Sequence, residues 1–177
     1  SVLGSLYQSQ GDDNKAIDYY QQALKIKPNA FDSLINLSNL YRNKRDYASA
    51  IELLNQALLL RPESPDIYST LADTYNSQAD YPRAIEYYQK TLKLNPDFAD
   101  VYCNLGHIYN GQDNCDKAIE YFQEFLKFRP SSIETYRVLV QLYKNKGDTE
   151  NALNQIKKLR DLKMNDLAEE LEQFINQ

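Results

Sequence analysis

The segment YRNKRDYASAIELLNQALLLRP occupies residues 41–62, and its near-copies decide how the chain is built. Thirty-four residues on, the chain reads YNSQADYPRAIEYYQKTLKLNP, and after another 34 it reads YNGQDNCDKAIEYFQEFLKFRP. Pro28, Pro62, Pro96 and Pro130 keep this step, as do Ala16, Ala50, Ala84, Ala118 and Ala152. So do Tyr7, Tyr41, Tyr75, Tyr109 and Tyr143, and Leu3, Leu37, Leu71, Leu105 and Leu139. Independent columns in one register mark a tandem array.

Within each unit the apolar spacing is helical. Phe31, Leu34, Leu37 and Tyr41 fall on one face at steps of three and four, and predict a helix over 31–44. Tyr47, Ala50, Ile51, Leu54, Ala57 and Leu58 predict a second over 47–60. The intervening Arg45–Asp46 is a short turn, replaced by Gly-Asp at Gly11 and Gly147, where glycine tolerates positive φ. Pro62 stops the second helix. Ser64 is placed to cap the next, Pro65 suits its first position and Asp66 complements its dipole. Each unit is therefore an antiparallel helix pair. Alanine in the second helix lets the pair approach closely, and the tyrosine column fills the space between adjacent units. One pair cannot bury its apolar face alone, so each leans on its neighbours.

These columns resemble a known family. The 34-residue step, with Leu105–Gly106, Tyr109, Ala118, Phe122 and Pro130, is similar to the tetratricopeptide repeat (TPR). The resemblance implies an all-α fold, a right-handed superhelical solenoid of antiparallel helix pairs. The units are expected at 31–64, 65–98, 99–132 and 133–166, after a truncated first repeat at 1–30. Residues 167–177 are expected to form a capping helix, apolar at Leu167, Ala168, Leu171, Phe174 and Ile175 and acidic at Glu169, Glu170 and Glu172. The N-terminal edge carries Val2, Leu3 and Leu6 with no polar cap. Either further repeats precede it or it serves self-association.

Composition narrows the functional classes. Twenty basic against 25 acidic side chains, a net charge of −5, offer no footprint for a nucleic-acid backbone. Two cysteines are too few for a disulfide framework, which favours a cytoplasmic location. No apolar run has the length of a membrane span. Carboxylate pairs such as Asp12–Asp13 and Glu169–Glu170 lie in turns and on exposed faces, where solvated charge explains them better than acid–base catalysis. Cys103 and His107 share a helix face at metal-ligand offset, but His107 is the one histidine in the chain and no third ligand joins them. No catalytic constellation, metal site, cofactor loop or enzyme activity is expected.

The family resemblance further implies that the first helices line a concave groove. Its positions fall here on Asn36, Asn39 and Arg42, then Thr70, Asp73 and Asn76, then Asn104, His107 and Asn110, and finally Gln141. Asparagine pairs a donor with an acceptor on one short stem and so matches a peptide amide. The basic clamp of chaperone-binding members is absent, because its positions hold Ser69, Asp73, Asn104, Glu134 and Val138. Asn36 and Asn104 partly match the asparagine ladder of the repeats in O-linked N-acetylglucosamine transferase, where Thr70 and Val138 break it. The expected function is a scaffold or adaptor that binds an extended peptide or partner protein in the groove. The alternative is the substrate-recruiting segment of a larger enzyme, such as a glycosyltransferase.

Overall fold

The computed structural model describes residues 2–176, and among them every regular element is a helix. Two compact units emerge, Ser1–Pro96 and Asp97–Gln177. The first holds α1 (Val2–Ser9), α2 (Asp13–Ile26), α3 (Phe31–Asn43), α4 (Tyr47–Leu60), α5 (Pro65–Ser77) and α6 (Tyr81–Leu94). The second holds α7 (Ala99–Gly111), α8 (Cys115–Phe128), α9 (Ile133–Asn145), α10 (Thr149–Asp161) and α11 (Asn165–Ile175). In the first unit α1 packs on α2, α2 on α3, α3 on α4, α4 on α5 and α5 on α6. In the second, α7 packs on α8, α8 on α9 and α9 on α10, and α11 lies against both α10 and α9.

The turns inside each pair are built by two devices. The residue before the last of each turn adopts a left-handed backbone, at Gly11 (φ 78°) and Gly147 (φ 72°) but also at Arg45, Ala79 and Asp113 (φ 58–63°). The next residue caps the second helix: the side chains of Asp12, Asp46, Asp80, Asn114 and Asp148 accept the N–H three residues on. The connectors between pairs are closed differently. Ser64 stands at the N-cap of α5, yet its side chain makes no capping bond, and the Ser64 carbonyl accepts the Tyr68 N–H instead. Pro65 does occupy the first turn, as expected.

The alanine column is completely buried at all five positions. Facing it is a second layer the repeat register relates by size. Tyr20, Leu54, Tyr88, Phe122 and Ile156 are each no more than 1% exposed. On the first helices the buried partners run Gly4, Ser38, Ala72, Gly106 and Val140. Glycine stands opposite two of the three rings: a methyl group added at Gly4 would sit 2.7 Å from the Tyr20 ring, and one at Gly106 would sit 2.7 Å from the Phe122 ring. Glycine is kept here for close approach, against its poor helix propensity.

The tyrosine column packs within its own pair as well as between pairs. Tyr7 stacks on Tyr19, Tyr75 on Tyr87 and Tyr109 on Tyr121, with ring centroids 5.2–5.5 Å apart. Each such partner lies on the second helix of the same pair, so the column first seals its own pair. It reaches the preceding pair through its hydroxyl: Tyr41 accepts from Gln21 Nε2 and Tyr143 from Gln123 Nε2, both at 2.7 Å.

The last helix starts at Asn165, two residues ahead of the expected capping segment. Lys163 takes the left-handed backbone (φ 61°) and the Met164 N–H donates to the Leu159 carbonyl. The same pattern closes the turns within pairs, as at Asp46 with Tyr41 and Asp148 with Tyr143. α11 is thus joined by a within-pair turn, and Leu167, Ala168 and Leu171 are buried beneath it.

Candidate functional site

In the first unit the expected site residues fall on two neighbouring strips. Asn36, Asn39 and Arg42 follow one another at steps of three along α3, and Thr70, Asp73 and Asn76 do the same along α5. All six are half-buried. The strips meet where the Arg42 guanidinium lies 3.5 Å from an Asp73 carboxylate oxygen. The other Asp73 oxygen accepts the Tyr88 hydroxyl at 2.6 Å. Arg42 and Asp73 are therefore engaged with the protein itself. Thr70 donates its hydroxyl to the Asp66 carbonyl one turn back, so it too is used within its helix.

The amides stand apart from these. Asn36, Asn39 and Asn76 make no side-chain hydrogen bond among the described residues and remain open to a ligand. Each offers one acceptor and two donors. They stand beside buried neighbours, Leu37, Leu40 and Tyr75, which fix the helix faces that carry them.

Tyr88 was not among the residues expected from sequence. Its ring is completely buried while its hydroxyl reaches Asp73. Tyr20 repeats the arrangement in the first pair, with its hydroxyl donating to Gln8 Oε1 at 3.1 Å and 3.0 Å from Ser5 Oγ. The signal for both was a tyrosine in a buried column otherwise held by leucine, isoleucine and phenylalanine. A phenol there needs a polar partner, and only the first-helix strip supplies one.

In the second unit, Asn104, His107 and Asn110 lie along α7 and Gln141 along α9. Asn110 and Gln141 line one shallow depression of about 400 Å³ together with Arg137, Val138, Leu142 and Asn145. Gln141 donates to Asn145 Oδ1 at 2.6 Å, while Asn110 makes no side-chain hydrogen bond among the described residues. The exposed His107 ring packs edge-on against Phe122, at a centroid separation of 5.0 Å. Burial pushes the neighbouring Cys103 thiol up, with the Asp100 charge adding to the effect. Among the described residues no three His, Cys, Asp or Glu side chains gather as a metal site requires.

Four basic residues of this unit carry partners. Arg137 forms a two-pronged pair with Glu170 of α11. Lys144 donates to the Phe174 carbonyl at 2.6 Å and sits 4.0 Å from the centre of the Phe174 ring. Lys146 pairs with Asp116 and Arg160 with Glu172. No described helix is long and apolar enough to cross a membrane.

Comparison with protein families finds tetratricopeptide repeat models matching residues 7–74 and 99–132, and a TPR repeat model matching 72–113. The chain belongs to the tetratricopeptide repeat family. Solved structures agree with this TPR assignment. A crystal structure of MamA protein is 30% identical, with a TM-score of 0.78 over 89% of this chain and 86% of that one. Another crystal structure of MamA is 29% identical, with a TM-score of 0.79 over 96% and 94%. YrrB, described as a TPR protein with an unusual peptide-binding site, shares the fold at 22% identity, with a TM-score of 0.70 over 96% and 88%. Comparison with curated proteins found no match.

Proposed function

We propose that this TPR chain is a non-catalytic interaction scaffold whose first-helix strips hold an extended segment of a partner protein. One observation carries the proposal. Asn36, Asn39 and Asn76 are half-buried amides without internal partners, whereas the charged residues between them are already bonded to each other. An extended peptide presents unpaired N–H and C=O groups, and these amides complement both. The description of YrrB as peptide-binding supports the same use of the fold.

Peptides selected from a random library against the 177-residue chain test this. Asn36→Ala together with Asn39→Ala is expected to weaken the selected peptides at least tenfold while stability changes by less than about 1 kcal/mol. Glu86→Ala with Lys90→Ala, on the exposed face of α6, is the control and leaves binding intact. Full-strength binding by the asparagine double variant would refute the proposal.

A further inference from the structure

We infer that a second site, separate from the asparagine strips, takes the charged end of an arginine or lysine side chain from a partner protein. It is a depression of about 490 Å³ in the first unit, lined by Tyr41, Ser49, Glu52 and Leu53 and, from α2, by Gln21 and Lys25. Its walls come from α2, α3 and α4, so the helices on both sides of it are in place. None of the asparagines proposed to hold peptide lines it.

The other pairs show what this site fits. Three of them place a cation over the ring of the tyrosine column: Lys15 over Tyr7 at 5.1 Å, Arg83 over Tyr75 at 4.7 Å and Lys117 over Tyr109 at 4.7 Å. In two of them the same cation pairs with the carboxylate that caps the second helix, Lys15 with Asp12 at 2.9 Å and Arg83 with Asp80 at 2.5 Å. One side chain thus answers a ring and an acid together. In the second pair the register puts Ser49 at this position. Its hydroxyl donates to Asp46 Oδ2 at 2.7 Å, which engages a lone pair but brings no positive charge. Among the described residues no cation lies over the Tyr41 ring and none pairs with Asp46. Arg45, beside Asp46, forms no ion pair among the described residues, and Lys44 donates to Asn14 Oδ1 instead. The fifth pair also lacks a cation here, but the longer Asn151 takes the position and donates its amide to Asp148 at 2.8 Å.

Shape and charge agree on the occupant. Serine is short, and Ser49 lines the depression beside the Tyr41 ring. Leu53 widens it, because the three cation-bearing pairs hold a stacked ring at the equivalent place, at Tyr19, Tyr87 and Tyr121. In the wall Glu52 offsets Lys25, which makes no ion pair or cation–π contact among the described residues. The Asp46 carboxylate is the charge left for the occupant. The Tyr41 ring supplies the flat face on which a guanidinium stacks or an ammonium rests.

The probe is N-acetyl-arginine N-methylamide, an arginine residue without chain ends, titrated at low salt into the isotope-labelled 177-residue chain and followed by NMR. Saturable shifts are expected at the backbone amides of Asp46, Ser49 and Leu53. The neutral isostere, N-acetyl-citrulline N-methylamide, should bind at least fivefold more weakly. Asp46→Asn should weaken the arginine probe at least threefold while keeping the helix cap, as Asn114 does in the fourth pair. Ser49→Arg should abolish binding, because the protein's own guanidinium then takes the site as Arg83 does in the third pair. The Asn36/Asn39 double variant should bind this probe at full strength, which separates the two sites. The inference falls if no saturable shift occurs at these amides, if the citrulline probe binds equally, or if Asp46→Asn or Ser49→Arg leaves binding intact. It also falls if sedimentation shows a dimer that Ser49→Arg dissociates, because a second copy would then supply the cation.

Discussion

Gly106 and Phe122 should behave as one unit. A Cβ at residue 106 would lie 2.7, 2.8 and 2.9 Å from three atoms of the Phe122 ring. Carbon atoms prefer about 3.5–4.0 Å, so the methyl group intrudes by close to 1 Å on a ring that is 1% exposed. Gly106→Ala should gain about 1 kcal/mol of helix propensity and lose about 1–3 kcal/mol to overpacking, for a net destabilisation of up to about 2 kcal/mol. Gly106→Val should cost more, and Phe122→Ile alone should lose buried volume. Combined, those two recreate the Val140 and Ile156 combination that the fifth pair already buries. The double variant should recover about 1–3 kcal/mol relative to the sum of the single changes. Urea unfolding of all four proteins gives that coupling energy directly. A coupling below about 0.3 kcal/mol, within ordinary additivity, would show that size matching across the pair is not what keeps glycine at 106.

Other outcomes follow from the turns and caps. Ala79 holds a left-handed backbone (φ 59°), so Ala79→Gly should raise stability by about 0.5–1 kcal/mol, read by thermal unfolding. Ala84 is completely buried, and Ala84→Leu should lower stability by about 1–3 kcal/mol in the same assay. Hydrogen bonds from Arg83, Lys15 and Asn151 hold the carboxyls of Asp80, Asp12 and Asp148 below the usual carboxylate range. A lowered folded value means their contribution is complete above the unfolded value of about 4 and is lost as pH falls through the folded value. Asp80→Asn should therefore flatten the fall in stability on acidification and lower stability slightly near neutral pH, because the amide keeps the cap but loses the charge-assisted pair with Arg83. An identical acid slope in wild type and variant would rule out Asp80 as a contributor.

The fold was legible because burial and periodicity coincide: Ala16 through Ala152 and Leu37 through Leu139 are the core, and they are also the columns. The repeat family was legible for the same reason. Partner choice within a column was not. Nothing in residue type says that Tyr75 stacks on Tyr87 of its own pair, because a ring satisfies either neighbour. Nor do Arg42 and Asp73, both exposed-type residues 31 positions apart, announce that they meet across two helices. The start of α11 was hidden by a change of phase. The within-pair turn at Leu162–Met164 is one residue shorter than a connector such as Arg61–Ser64, and α10 is one residue shorter than α4 or α8, so the core positions of α11 follow those of α9 at 32 residues rather than 34. Leu171 answers to Leu139, and a fixed 34-residue register passes over it.

Within each unit, every helix rests on elements close to it in the chain, and this governs how such a protein gains its structure. Contacts between sequence neighbours close short loops, whose entropy cost is small and grows only slowly with length. Low contact order of this kind goes with fast folding. It also means that no single pair is a keystone. Damage at Gly106 should be felt most by α7 and α8 and by α9 beyond them, so that such a lesion loosens a locality while more distant pairs keep their protection from hydrogen exchange.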